Sequence, residues 1–318
     1  MLQIALIGAG QLGSRHLQAL ALLDRAARVT VVDPTESSLA TAKERFAQIA
    51  QDKVEAVFTQ DFGGLPKSLD GAVVATGANV RRKAIEALLQ QSQVKVALLE
   101  KVLFQRIEDY ASVGALLENS GTRAWVNCAQ RLWPFFSDLR PRTLGRSNLQ
   151  VSVTGAQWGL GCNAIHNLDL LPFLTGDAGC RIESGLDAGS IASKRPGFIE
   201  FTGSLYGFGA RGNRVLQSSY RDGNAPFAFE VQAEDFHATW NVHEKRMRIA
   251  EAAGGWKWRE EKVSPLYQSK LTHLVLAEML DHGRSVLPAY AESAALHLSM
   301  LEVFLRHLGP GADVCAIT

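Results

Sequence analysis

The sequence predicts two domains of different kinds, an α/β domain built on a parallel sheet over residues 1–122 and an α+β domain with a large, open, mostly antiparallel sheet over residues 123–318. Two observations carry the division. In the first part, short β-branched runs alternate with segments whose apolar residues recur at helical spacing, the pattern of parallel strands joined by crossover helices. Beyond about residue 130, longer strand-like runs follow one another with few helices between them, as in an antiparallel sheet with one covered face. A chain of 318 residues can give each part its own core.

In the first domain "QIALIGA" (3–9), "RVTVVD" (28–33), "VEAVF" (54–58), "GAVVAT" (71–76) and "VKVALLE" (94–100) read as buried strands, because they are apolar almost without interruption. Segments 11–23, 37–51 and 80–91 carry the 3.6-residue period of helices. A further helix, 107–119, and a short strand, 123–129, follow. In the second domain, segments 149–158, 197–209, 214–222 and 227–235 read as strands. Segment 237–263 reads as strands ending in a hairpin, with Gly254–Gly255 at its turn, Trp256 and Trp258 on one face and Lys257 and Arg259 on the other. Helices at 266–282 and 291–308 close the chain.

The composition is that of a water-soluble globular protein, 47% hydrophobic and 20% charged. With 33 basic against 32 acidic residues and no basic cluster interleaved with aromatics, nucleic acid and anionic membrane are not expected as partners. No apolar run approaches the roughly 20 residues needed to span a bilayer. The N-terminus lacks the features of a signal peptide, and the four cysteines form no CxxC pair, so a reducing cytoplasm is expected. The eight histidines include no HxxxH or HExxH, and no metal site is expected.

"ALIGAGQLGSRH" places Gly8, Gly10 and Gly13 in GxGxxG spacing, directly after a strand and opening a helix. Gly8 permits the tight turn, Gly10 lets backbone approach a pyrophosphate, and Gly13 allows close packing of helix on strand. Gln11 and Leu12, between them, open the helix whose N–H groups face the phosphates. Asp33 ends the second strand 20 residues after Gly13, where a ribose-binding acid of a Rossmann domain belongs. That carboxylate accepts from ribose hydroxyls and repels a 2′-phosphate. The next residues, Pro34, Thr35 and Glu36, offer no basic group, so NAD is expected over NADP. In such a sheet ligands bind outside the carboxyl ends of the strands. Thr76, Gly77 and Asn79 reach that edge after the fourth strand, on the nicotinamide-ribose side. Glu100 and Lys101 reach it after the fifth. An amine held there and partly desolvated is suited to proton transfer. Lys101 reads either as this group or as a solvated cap at a strand end, with Glu100 supporting it by orienting the amine or accepting backbone N–H groups. His16 reads as a packing residue of the first helix.

On "GAGQLGSRH", "VVATGANVRR", "LLEKVLF", "VNCAQRLWP" and "GCNAIHNLDLLPFLTG", nearly the whole chain resembles the Gfo/Idh/MocA oxidoreductases. The resemblance implies a Rossmann domain, a C-terminal open-sheet domain, action on sugars, inositols or related polyols, and a homo-oligomer, dimer or tetramer, formed through the C-terminal sheet. The family's Glu-Lys-Pro matches Glu100 and Lys101, with Val102 replacing the proline, and implies that Lys101 handles the proton of the reacting hydroxyl. The family's Asp-x-x-x-His segment places its histidine at His166, but Cys162 stands where the acid is usual. The family's proline and histidine after the fourth strand are here Gly77 and Arg81.

Helical spacing puts Cys162, Asn163 and His166 near one face, with Asp169 a turn further. His166 is the second acid–base candidate, or else a surface histidine paired with Asp169. Asn163 could hydrogen-bond substrate. Pro172 is expected to end or kink this helix. Arg131 and Trp133 either meet substrate, with Trp133 as a stacking surface for a sugar ring, or pack the domain junction. Three functions are compatible with this reading. They are an NAD-dependent dehydrogenase of a sugar, nucleotide sugar or cyclic polyol, a non-catalytic NAD-binding sugar sensor, and a reductase of a bilin or imine.

Overall fold

β1 (Leu2–Ile7) lies at the centre of a six-stranded parallel sheet in the computed structural model, which describes residues 1–49 and 52–318. The described residues form two compact units, the first comprising Met1–Phe104, Glu108–Ala129 and Tyr267–Ala291. In this unit β1 is followed by α1 (Gly13–Leu20), β2 (Ala27–Val32), α2 (Glu36–Ala47), β3 (Val54–Thr59), β4 (Ser68–Val74), α3 (Ala78–Gln91), β5 (Gln93–Leu99), α4 (Ile107–Ser120) and β6 (Arg123–Val126). The strand order is β3-β2-β1-β4-β5-β6. The chain reverses direction of winding between β1 and β4, the switch point at which open α/β sheets bind ligands. Ile4, Leu6, Val29, Val31 and Leu98 are buried to the last atom, as continuous apolar strands covered on both faces require. The helical pattern read over 37–51 appears as α2; Ala50 and Gln51 lie outside the described residues.

The second unit holds Gln105–Ile107, Gln130–Leu266 and Glu292–Thr318. Its elements are α5 (Pro134–Thr143), β7 (Gln150–Ala156), α6 (Leu160–Thr175), β8 (Arg181–Leu186), β9 (Ile191–Ala192), β10 (Ile199–Glu200), β11 (Gly203–Phe208), β12 (Arg214–Tyr220), β13 (Ala228–Gln232), β14 (Phe236–Asn241), β15 (Arg246–Glu251) and β16 (Arg259–Lys262). Helix α7 (Thr272–His282) belongs to the first unit, and most of α8 (Tyr290–Leu308) to the second. Eight strands form one open sheet in the order β16-β15-β14-β13-β7-β12-β11-β8, antiparallel except for the β7–β12 pair. One face, with Val153, Leu205, Val215, Phe229 and Trp240, is buried, and α6 packs there: Asn167 on the helix donates to Gln217 on β12 at 2.9 Å. The other face carries Ser152, Ser204, Ser218, Glu230 and Thr239, all half-buried.

Several local expectations are corrected. Segment 197–209 is not one strand: it breaks into β10 and β11 across Phe201 and Thr202, and β11 opens at Gly203 with a φ of +95°. Trp256 and Trp258 do not share a strand face, because β16 starts only at Arg259 and Trp256 has a positive φ in the connection. Helix α6 continues past Pro172 and ends at Gly176 in the left-handed conformation. Proline near a C-terminus forfeits one hydrogen bond, and the buried residues beyond it hold the last turn. Helix α5 adds an element beyond those that the sequence pattern predicts. Its Pro134 sits in the first turn, where a missing N–H costs nothing, and Phe135 and Phe136 pack against Trp240.

Candidate functional site

The glycine turn follows β1 at the switch point. Gly8 has φ +93°, and its N–H donates to Val32 at 2.8 Å, tying the turn to the end of β2. A Cβ on Gly13 would stand 1.9 Å from the Gly8 carbonyl oxygen, so only glycine lets α1 start this close to β1. At Gly10 a Cβ would meet nothing within 4 Å, which leaves the loop open to a ligand on that side. Arg45 on α2 holds the loop from outside, donating to the Gln11 side chain at 2.6 Å and to the Gln11 carbonyl at 3.1 Å. Gln11 is exposed and Leu12 half-buried.

Asp33 follows β2 with its carboxylate fixed at both ends. One oxygen accepts from Ala9 N–H at 2.7 Å and the other from Thr35 N–H at 2.9 Å. Each oxygen keeps a second acceptor direction, as a ribose diol requires. A cavity of about 470 Å³ opens between Gly8, Gly10, Asp33, Thr76 and Gly77, with Phe62 and Val80 as apolar walls. The Thr76 hydroxyl is buried without a hydrogen-bond partner. An open glycine loop, an oriented carboxylate, apolar walls for a base and an unmet hydroxyl all fit a dinucleotide. Asn79 is exposed in the first turn of α3 and Val80 takes its place in the cavity wall. Lys83, one turn further, also lines the cavity, a basic group that the residues after Asp33 do not reveal.

Glu100 and Lys101 follow β5 at the same edge of the sheet. Glu100 is buried, at 2% exposure, and its acceptors are met by side chains rather than by backbone N–H groups: His16 Nε2 lies 2.9 Å from Oε1, and Asn127 Nδ2 donates to the same oxygen. Asn127 also donates to Gln268 at 2.8 Å, Gln268 donates to Thr272 at 2.9 Å, and Thr272 lies 2.8 Å from His16 Nδ1. Burial alone would raise the Glu100 pKa. The hydrogen bond and charge of His16, the charge of Lys101 and the Asn127 bond outweigh it and bring the carboxyl down from 4.5 to about 2. His16 is thus buried as expected and is also the partner of Glu100. Lys101 is half-buried, and the peptide to Val102 is cis.

In the second unit, α6 presents Cys162, Asn163 and His166 half-buried on one face. Asn163 Nδ2 donates to the Trp158 carbonyl at 2.8 Å, and Glu200 accepts from Gly161 N–H at 2.6 Å, capping the start of the helix. Asp169 is paired with Arg131. Its carboxylate takes the Arg131 guanidinium in two bonds of 2.6 and 2.7 Å, deep in the unit. Trp133 donates to the Leu266 carbonyl at 3.2 Å and packs edge-on against Trp240 and Phe229. Among the described residues no group of three or more His, Cys, Asp or Glu side chains could hold a metal ion, no disulfide is present, and no helix is long and apolar enough to cross a membrane.

Strand order, glycine turn and Asp33 define the class: a dinucleotide-binding Rossmann unit joined to an open-sheet unit. Residues 2–128 match the model of the Gfo/Idh/MocA family, described as an oxidoreductase family with an NAD-binding Rossmann fold, and this N-terminal domain is similar to that family. A myo-inositol dehydrogenase, Hyg17 of Streptomyces leeuwenhoekii, is 29% identical over 154 residues, 46% of this chain, and the chain covers 43% of that protein's length. Among solved structures, a UDP-N-acetylglucosamine 3-dehydrogenase, GnnA of Acidithiobacillus ferrooxidans, superposes with a TM-score of 0.72 at 16% identity, over 95% of this chain and 96% of its own. An oxidoreductase of Agrobacterium radiobacter, solved with NAD+, L-tartaric acid and magnesium, gives 0.72 at 15% identity, over 98% and 97%. At these identities the structural likeness establishes the shared two-domain fold.

Proposed function

We propose that the protein is an NAD-dependent dehydrogenase or reductase acting on a hydroxyl or keto carbon of a sugar, nucleotide sugar or cyclic polyol. The observation that carries the reading is Lys101, which follows the same sheet edge that opens the dinucleotide cavity and adjoins a buried carboxylate anchored by His16 and Asn127. Bound nicotinamide supplies the hydride chemistry. The glycine loop and Asp33 bind the cofactor, and Asp33 favours NAD because a fixed carboxylate beside the ribose repels a 2′-phosphate. Lys101 takes or returns the hydroxyl proton, with its charge balanced by Glu100. His166 is the second acid–base group and Asn163 a substrate donor. Arg131 and Asp169, engaged with each other, hold α6 in place. Substrate classes come from the relatives' names, and a homo-oligomer through the polar face of the open sheet completes the proposal.

A panel of inositols, hexoses and UDP-sugars mixed with NAD+ tests this. Absorbance at 340 nm should rise with at least one. The specific observation behind a second reading, a sensor that binds NAD+ without turnover, is the thiol of Cys162 where a carboxylate would relay a proton. Binding of NAD+ and of a sugar with no absorbance change across the panel would favour it.

A further inference from the structure

Arg81 on α3 is 1% exposed. A guanidinium is costly to bury unless its donors are met. Here Nη1 donates to the carbonyls of Val102 and Leu103, at 2.9 Å to the latter, and Nη2 donates to the carbonyl of Thr76. The three acceptors lie on two separate segments: the turn after β4 that walls the cavity, and the backbone that leaves β5 immediately beyond Lys101. A planar fork with donors on both sides can bridge them, whereas a point-charged amine on a flexible stem cannot hold all three at fixed angles. Glu100, on the other flank of Lys101, is held by His16 and Asn127. Lys101 is thus gripped from both sides along the chain.

We infer that Arg81 is the positioning residue of the candidate site: its guanidinium locks the backbone after Lys101 to the Thr76 turn and so sets the Lys101 amine relative to the cofactor cavity. This rests on the proposed role of Lys101. Arg81 need touch neither cofactor nor substrate, because it acts through Lys101.

The test is lysine labelling by reductive methylation, read residue by residue by mass spectrometry, in wild type, Arg81→Met and Arg81→Lys, with and without NAD+. Lys83, in the cavity wall, reports whether cofactor is bound. Lys95 on β5, ion-paired with Asp70 on β4, reports whether the pairing of these two strands is disturbed. In wild type NAD+ should protect both Lys83 and Lys101. In Arg81→Met, labelling of Lys101 should rise at least about tenfold, the scale expected when a buried charged hydrogen bond is lost. Its protection by NAD+ should disappear while Lys83 stays protected and Lys95 unchanged. Arg81→Lys, which keeps the charge without the fork, should show the same change in smaller measure, and it serves if the methionine variant does not fold. Wild-type labelling and protection of Lys101 in both variants would overturn the inference. So would a rise at Lys95 as large as that at Lys101. Protection of Lys83 without protection of Lys101 in wild type would instead remove the role of Lys101, and with it the reason to position that residue.

Discussion

Glu100 is the acceptor for two buried donors, and replacing it has effects whose sizes can be worked out. Glu100→Ala leaves His16 Nε2 and Asn127 Nδ2 facing a void. Each unmet buried donor costs about 1–3 kcal/mol, and breaking a buried pair from one side costs about 3–5 kcal/mol. The variant should therefore lose about 3–5 kcal/mol, a large share of a typical domain's stability. Glu100→Gln keeps an oxygen at the position that both donors reach and removes only the charge, so its cost should be smaller, about 1–2 kcal/mol. The pH dependence fixes the sign. The folded pKa of about 2 lies below the ordinary 4.5, so the stabilisation is fully present above 4.5 and is lost as pH falls toward 2. The gap between wild type and Glu100→Gln should thus be constant near neutral pH and close between 4.5 and 2. Urea unfolding followed by far-UV circular dichroism at a series of pH values measures both. A cost below about 1 kcal/mol for the alanine variant, within the range of ordinary surface changes, would refute the anchoring role. So would a gap that does not change down to pH 3.

Three further outcomes follow from the same geometry. Asp33→Ala should raise the NAD+ dissociation constant at least about tenfold by calorimetry, the worth of one good hydrogen bond to a charged group; an unchanged constant would remove Asp33 from the ribose. Asp169→Ala should cost about 3–5 kcal/mol by stranding the Arg131 guanidinium, while Arg131→Met with Asp169→Leu should recover most of that loss; equal losses in single and double variants would show that the pair is uncoupled. Burial, aided by Asp169 and Asp177 at Cys180 and by Glu200 at Cys315, pushes both thiols up to about 12. At pH 8 buried Cys315 should react with an aromatic disulfide only on unfolding and half-buried Cys180 far more slowly than a free thiol, and fast native-state labelling mapped to either would contradict the raised pKa values.

How much of the fold and site is legible in the sequence depends on whether the signal is local. The parallel strands announce themselves because β1, β2 and β5 are buried on both faces over most of their length and hence apolar almost without interruption. The glycine turn is readable because the steric demand on Gly13 comes from the carbonyl of Gly8, five residues away. The second unit is readable as an open antiparallel sheet but not in its breaks: Gly203 at the start of β11 and Trp256 in the connection between β15 and β16 take positive φ angles that an apolar pattern does not encode. What supports Glu100 is not readable. His16, Asn127, Gln268 and Thr272 come from distant stretches of chain, and none carries a motif by itself. Arg81 looks in the sequence like a departure from the family pattern, and only the fold shows the three carbonyls that it serves. Lys83 escapes a search for basic groups along the chain from Asp33, because the cavity brings it there from α3.

The proposed chemistry rests on Lys101 handling the substrate proton beside a cofactor bound independently by the glycine loop and Asp33. Turnover of Lys101→Met probes this without an intermediary, followed at 340 nm with whichever substrate the panel yields, beside its NAD+ dissociation constant. The expected result is a fall in kcat of at least about a hundredfold, the usual worth of a general acid or base, with NAD+ affinity kept within a few-fold. Turnover equal to wild type would contradict it.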